Sequence, residues 1–513
     1  MSKVKMIYID PPYNTGNDFI YYDKFISEKS KYDLLSGQLD EDGNRLIDEQ
    51  SYMKNQASNG RFHSDWLSMI YPRLKLARNL LQDDGIIFIS IDDNEVANLR
   101  RLCDEVFGEE GFIGQLIWKS RVSEDTRAKT GLSTDHEYIL CYRKGINTAL
   151  RGADKDLEKF SNPDNDPRGP WRSADMTGLA TKDKRPNLHY DLIDPTTMIN
   201  YGCPPKGWRF DQNTMTKKVS EKRIIWPAST EGRPRQKLFL EEMDSMFKNV
   251  SSVIQTVSTS IGTKEINQII GEGIFDFPKP SSLIKFLIEQ ATNHDELVLD
   301  FFSGSATTAH AVMALNAEDS RKRKFIMAQM PETCNEKSGA SKAGYKTIAE
   351  IGRERIRRAG QKIKQENADK PGIDQLDVGF RVLKVDTSNM NEIYYTPDVL
   401  KQGDLFNFVD NVRDDRTEED LLFQVLLDWG VDLSLPITRE TIAGKSVLFV
   451  DDNALAACFD KEAGITEDFV KQLATRSPLR VVFRDAGFAS DSVKINIEQI
   501  FKLLSPSTEI KTL

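Results

Sequence analysis

Short apolar runs alternate with amphipathic helical stretches over residues 64–144 and again over 281–330, and that alternation restricts the chain to an α/β sheet architecture. MIYI (6–9) is a compact apolar strand ending at Asp10. The stretch 64–81 places Trp66, Met69, Ile70, Leu74, Ala77 and Leu81 on one helical face, with Ser64 as the expected N-cap and Pro72 as a kink. GIIFISID (85–92) reads as a buried strand, and 93–108 as an amphipathic helix stopped by Gly108. Strands follow at 112–118 and 137–144. After an irregular stretch rich in Pro, Asn, Asp and Gly (about 150–275), the alternation resumes. Helix 281–292, strand 297–302, helix 307–319, strand 324–330 and a long charged helix over 343–366 come in turn. The expectation is a doubly wound, Rossmann-like parallel sheet interrupted by an inserted domain. A strand at 380–386 then leads into a small C-terminal α/β domain. Residues up to about 60 read as a long loop or cover.

Composition narrows the class. The chain has 513 residues, 39% hydrophobic and 29% charged, enough for several buried cores. No run approaches the ~18 apolar residues of a membrane helix, and the N-terminus lacks a signal-peptide pattern. The five cysteines are scattered without a CxxC pair, which argues against disulfides and against a zinc site, and fits a reducing cytoplasm. Net charge is −10, but it is uneven. Residues 118–270 carry 25 Lys and Arg against 20 Asp and Glu, and 206–237 carry 9 against 3. The last stretch, 391–513, carries 13 against 22. A basic middle between acidic flanks is either a footprint for phosphates or a solvated charged surface.

Two motifs carry chemistry. Asp10-Pro11-Pro12-Tyr13 stands at the C-terminal end of an apolar strand, the edge where open parallel sheets bind ligands. An exocyclic amino group on a nucleobase is a poor nucleophile because its lone pair is delocalised. The Asp10 carboxylate and a carbonyl beside a proline can accept both N–H hydrogens and free that lone pair, and Tyr13 supplies a ring for an extruded base. The second motif, LVLDFFSGSATTAHAV (297–312), is a strand, a small-residue turn and a helix, a form that lets a ligand approach backbone and helix N-terminus. It lacks both GxGxxG and the P-loop pattern, so dinucleotide and nucleoside-triphosphate readings are weak.

Together these motifs resemble the amino-methyltransferases of DNA, specifically the modification subunits of Type III restriction–modification systems. IDPPYNTGNDFIYYDKF (9–25) is similar to that family's catalytic segment. FPKPSSLI (277–284) and VLDFFSGSATTAHAV (298–312) are similar to its S-adenosylmethionine segments. The order, catalytic before cofactor motif, is that of the β class, and the likeness continues into 379–390, 419–437 and 480–506. It implies a catalytic half at 1–118, a target-recognition domain at 119–275, a cofactor-binding half at 276–388 and a Type III domain at 389–513. By the same resemblance, Asp10 and the Pro11 carbonyl would bind adenine N6, Pro12 would hold the turn, and Tyr13 would stack on the flipped base. Asp300, Phe301, Phe302, Ser303, Gly304 and Ser305 would line the cofactor pocket, with Ala306 where the family often has Gly. Lys279 and Pro280 would sit near the cofactor carboxylate, and Glu332 would meet its ribose. Arg233, Arg235 and Lys237 would contact DNA.

The function so implied is methyl transfer from S-adenosylmethionine to adenine N6 in double-stranded DNA. The resemblance further implies a homodimer working with a restriction helicase/nuclease (Res) subunit. A cytosine-N4 methyltransferase and a non-catalytic DNA-recognition subunit remain as alternatives. One departure stands out. The catalytic strand begins near residue 5, whereas the family places a strand and helix before it. The expectation is therefore a chain short at its N-terminus, with an exposed sheet edge, an open adenine side to the cofactor pocket, and weak cofactor binding.

Overall fold

The strand β1 (Val4–Ile9) is buried along its whole length, so both of its faces need a covering layer. Period-two alternation decides which side chain goes where. Ile7 and Ile9 join a core with Trp66, Met69, Ile70, Leu74 and Leu99. Met6 and Tyr8 join a second core with Leu283, Ile284, Leu287, Val312 and Leu315 on the opposite face. The structure is a computed structural model that describes residues 2–16, 19–21, 52–56, 58–126, 128–229, 231–243, 247–255, 257–391, 412–462 and 464–513. Most of the expected cover loop before residue 60, and the FIYYDKF end of the catalytic segment beyond Tyr21, lie outside the described residues.

Around β1 the elements follow in order. Helix α1 (Phe62–Leu80) starts two residues before the expected cap. Arg61 takes the N-cap position, and the Ser64 hydroxyl donates back to the Arg61 carbonyl at 3.0 Å. Pro72 lies inside the helix. Next come β2 (Leu81–Ile91), α2 (Val96–Phe107), β3 (Phe112–Trp118) and β4 (Glu137–Arg143). The chain then leaves the sheet to build a three-stranded antiparallel sheet, β5 (Trp171–Ala174), β6 (Ile224–Ile225) and β7 (Arg235–Phe239), with β7 in the centre. Met176, Leu192, Trp208, Met215 and Ile224 form a small core of their own there. The chain returns at β8 (Val253–Ile254) and continues through α3 (Thr259–Ile269), α4 (Ser281–Ala291), β9 (Leu297–Asp300), α5 (Thr307–Asp319), β10 (Lys324–Met327) and α6 (Ile348–Glu366).

The seven-stranded sheet has the order β8-β3-β4-β2-β1-β9-β10. It is mixed, where the alternation had predicted a parallel sheet. β1 is parallel to β2 and β9, but β4 is antiparallel to both β2 and β3. The cause is local: no α-helix lies between β3 and β4 among the described residues, and parallel neighbours need such a crossover. Both β4 and β8 lie within the stretch 119–275 that the sequence assigned to the insertion, so the excursion proper runs between residues 143 and 253.

The chain divides into two compact units, Met1–Gly379 and Phe380–Leu513. The second holds a five-stranded sheet, β11 (Ile437–Ile442), β12 (Lys445–Val450), β13 (Leu455–Cys458), β14 (Arg480–Phe483) and β15 (Glu509–Thr512), paired in sequence order. Helices α7 (Glu418–Asp428), α8 (Glu467–Ala474) and α9 (Asp491–Leu504) cover it. One expectation fails here. Residues 380–386 form no strand and pair with no sheet. Val382, Leu383 and Val385 are exposed, and Arg381 is held by the carbonyls of Leu433 and Leu435 instead. The apolar alternation of FRVLKVD had no neighbouring strand to meet.

One glycine ties this packing to function. A Cβ added at Gly262 in α3 would stand 2.3 Å from the Pro278 carbonyl oxygen, on the segment that carries Lys279. Gly→Ala inside a helix ordinarily stabilises by up to about 1 kcal/mol. At Gly262 the sign should reverse, with Gly262→Ala costing roughly 1–3 kcal/mol through overpacking. Urea denaturation midpoints of the two proteins measure it, and a higher midpoint for the variant would refute the close approach.

Candidate active site

The parallel register of β1 with β9 brings their C-terminal ends side by side, and with them Asp10 and Asp300. Tyr8, Asp10, Phe275, Phe277, Pro278, Lys279, Asp300, Phe302, Ser303, Gly304, Ser305, Thr307 and Thr308 surround a cavity of about 240 Å³ at that edge. The two sequence motifs therefore share one site. Among the residues expected to bind cofactor, Lys279, Asp300, Phe302, Ser303, Gly304 and Ser305 line this cavity, whereas Phe301 packs into the neighbouring core and Pro280 serves as N-cap of α4.

Asp300 is buried. Its carboxylate accepts from the Thr308 hydroxyl at 2.6 Å and from the Phe302 backbone N–H at 3.1 Å. Burial pushes its pKa up to about 7 despite those donors, and the Asp10 charge adds to the rise. The turn that follows is held in the left-handed region at Gly304 (φ 48°) and again at Ala306 (φ 61°). Glycine takes such a conformation freely; alanine there carries strain of about 1 kcal/mol. The family's usual Gly at position 306 thus has a backbone reason.

Two side chains that the sequence did not flag support this turn. Gln329, just beyond β10, accepts from the Gly304 N–H at 2.7 Å and lies 3.4 Å from Glu332 through its amide nitrogen. Glu332 itself does not line the cavity. Arg355 of α6 is completely buried, donating to Ser305 at 2.8 Å and Thr307 at 2.6 Å, with Glu265 at 3.7 Å. Burial lowers its pKa to about 10. The one signal in the sequence is helical spacing: Arg355 falls four residues after Ile351 and four before Ala359, on the buried face, whereas Arg357 and Arg358 do not.

The Asp-Pro-Pro-Tyr end is fixed from outside. The Trp66 indole donates to the Pro12 carbonyl at 2.7 Å, pinning the turn. The Tyr13 hydroxyl donates to Glu137 of β4 at 2.8 Å. Lys279 does not stand apart near a cofactor terminus. Its ammonium lies 2.9 Å from Asp10 and 3.3 Å from Glu137, and 4.9 Å from the centre of the Tyr13 ring. Burial disfavours the lysine's charge, but the two carboxylates outweigh it and hold its pKa above the ordinary value.

In the excursion, Arg233 and Arg235 are exposed at the start of β7, and Arg235 donates to Ser173 at 2.7 Å. Lys237 departs from the expectation. It is buried, ion-paired with Asp164 and Asp166, and near the Trp171 ring. Two carboxylates already neutralise it, so a DNA phosphate would have to displace them. Trp118 and Trp208 are core residues, and Trp226 packs partly buried against the same small core as Trp208.

Known proteins place the chain in context. Residues 4–351 match a family model described as DNA methylase. The chain is 38% identical over 388 residues to the Type III restriction-modification enzyme StyLTI Mod subunit of Salmonella typhimurium, spanning 74% of this chain and 56% of that one. It is 34% identical to the EcoP15I Mod subunit of Escherichia coli over 70% of this chain and 60% of that one. It is 32% identical to the Type II methyltransferase M.KpnI of Klebsiella pneumoniae, covering 68% of this chain and 80% of that one. The chain thus spans less than two thirds of the length of these Mod relatives.

The raised Asp300 pKa has a sign that can be worked out. The folded state keeps a proton that the unfolded state releases, so this group's contribution to stability is full below about pH 4 and is lost as pH rises through about 7. Asp300→Asn keeps the acceptor oxygen without the charge. It should match wild type at pH 4 and exceed it at pH 8, by up to roughly 4 kcal/mol. Denaturation at the two pH values tests this; equal pH dependence would return Asp300 to an ordinary carboxylate.

Proposed function

The chain belongs to the DNA methylase family, and from that premise we propose that it transfers a methyl group from S-adenosylmethionine to the N6 amino group of adenine in double-stranded DNA. We propose further that it does so as the modification subunit of a Type III system, as a homodimer with a Res helicase/nuclease subunit. The observation that carries the reading is the Asp10 carboxylate at the mouth of the cavity that Asp300 and the Gly304 turn enclose.

The residues present fit that cofactor. It is a cation with an adenine ring, and the cavity offers three aspartates (Asp10, Asp276 and Asp300), the rings of Phe275, Phe277 and Phe302 and a tight glycine turn. When bound, it supplies an electrophilic methyl group on a sulfonium. Asp300 and the turn 303–305 would hold it, with Arg355 and Gln329 fixing the turn from behind. Binding a cation beside Asp300 favours the ionised carboxylate, which burial alone disfavours.

The protein's own residues then act on the base. The Asp10 carboxylate and the Pro11 carbonyl accept the amino hydrogens, and the nitrogen lone pair is released toward the methyl group. Tyr13 stacks on the extruded adenine, which has left the duplex at a cost of a few kcal/mol. As the nitrogen acquires positive charge, the fixed carboxylate stabilises it more in the transition state than in the ground state. As the nitrogen–methyl bond forms, the methyl–sulfur bond would break to leave a neutral thioether, and one amino proton would pass to the Asp10 carboxylate and on to solvent. Exposed Arg233 and Arg235 would hold phosphates of the duplex.

Asp10→Ala should therefore lower single-turnover methyl transfer by at least a thousandfold while leaving cofactor affinity within a few-fold, as read by calorimetry. Transfer within tenfold of wild type would remove Asp10 from the mechanism. Replacing Arg233 and Arg235 by Ala should flatten the logarithmic salt dependence of DNA binding by about 0.9 for each phosphate no longer neutralised. An unchanged slope would show that neither arginine touches a phosphate.

A further inference from the structure

Asp10 poses an electrostatic problem. A buried ammonium 2.9 Å away ought to occupy the very acceptor that an amino group must use. Yet Asp10 Oδ1 has no hydrogen-bond partner among the described residues, because the lysine approaches it off the bonding direction. The reason lies on the other side of the lysine. Glu137, the first residue of β4, stands 3.3 Å from the same ammonium and shares it with Asp10. The same Glu137 oxygen also accepts from the Tyr13 hydroxyl. Three segments distant in sequence, 10–13, 137 and 279, are thereby held as one unit.

We propose that Glu137 is a positioning residue for methyl transfer, keeping Lys279 from claiming the Asp10 acceptor by sharing that ammonium, and fixing the plane of the Tyr13 ring on which the base stacks. The proposal rests on the amino-methylation reading above. Its physical content is a division of one cation between two anions. With both carboxylates ionised, the unit carries a net charge of −1 facing a nitrogen that becomes positive, and Lys279 is shared. Remove the Glu137 charge and Lys279 collapses onto Asp10, competing with the amino hydrogens for its oxygen. The Tyr13 hydroxyl loses its strongest acceptor at the same time. Its side chain is about one-fifth exposed, so Glu137 is placed to work through its neighbours, and it makes these contacts from a rigid central strand.

The test uses the full chain with unmethylated genomic DNA and S-adenosylmethionine. Glu137→Gln should slow single-turnover transfer at saturating DNA at least thirtyfold, with cofactor affinity within threefold of wild type. Tyr13→Phe, which deletes only the hydroxyl, should slow it a few-fold. The double variant should be no slower than Glu137→Gln alone, since both changes break one unit. Glu137→Asp, which keeps the charge on a shorter arm, should recover part of the rate. A wild-type rate in Glu137→Gln, or additive losses in the double variant, would overturn the proposal. If the wild-type chain transfers no methyl group to any DNA, it is the functional reading that fails. The unit is then judged by the exchange of the Lys279 ammonium protons in nitrogen-15 NMR. Exchange at least tenfold faster in Glu137→Gln supports it, and equal exchange rejects it. Should Glu137→Gln not fold, Glu137→Asp and Tyr13→Phe decide: both at the wild-type rate refute it, and losses in both uphold it.

Discussion

Everything at the candidate site depends on the pairing of Val4–Ile9 with Leu297–Asp300, two strands joined directly in space although most of the first unit lies between them in sequence. Parallel pairing aligns the two strand ends, so Asp10 and the turn after Asp300 emerge on the same edge. Burial on both faces fixes the register, because a one-residue slip would send Ile7 and Ile9 into the wrong core. The precision of the site is thus inherited from apolar packing far from any charged group.

Around that edge the molecule places charges where water is scarce, and each has an identifiable counterpart. Asp10 and Glu137 share Lys279; Arg355 meets two hydroxyls and Glu265; Lys237 lies between Asp164 and Asp166. Asp300 lacks a cation of its own among these, and its raised pKa is the result. A buried charge that is not matched inside the protein is a natural partner for a charged ligand. Asp300 differs from the other three groups in one respect: each of those is balanced by an opposite charge in the free chain.

The strands and helices bearing both motifs were legible from local pattern, since β1, α1, β2, α2, α4, β9 and α5 all follow ordinary apolar periodicity. Asp10, Tyr13, Asp300 and Gly304 were legible because strand-end turns have recognisable chemistry. Partners were not. Glu137 begins an unremarkable strand, and only tertiary pairing of β4 against β2 and β3 carries it to Tyr13. Lys279 lines the expected cavity, but its pairing with Asp10 and Glu137 was not legible, because spacing says nothing about which carboxylate a lysine will meet. Lys237 was read as a free cation within a basic window, although the two aspartates that neutralise it lie some seventy residues earlier. The segment 380–386 shows the opposite error: a strand-like pattern is not a strand without a neighbour.

The excursion that carries Arg233 and Arg235 leaves the central sheet at the end of β4 and rejoins it at β8, with only β3 between them in the sheet. The end of β4 lies beside Phe112 and the start of β8 beside Ile117, so at about 4.8 Å per strand spacing and about 3.3 Å per residue its two roots are anchored roughly 20 Å apart by backbone pairing. The sheet closes this loop, so the loop's own length adds little to the entropy of folding. It also has a small core of its own. A segment so rooted is exchangeable: recombination could replace what lies between residues 143 and 253 with another self-contained fold while Asp10, Lys279 and Asp300 keep their places. On the proposed function, a lineage could then change what it recognises without reinventing what it catalyses.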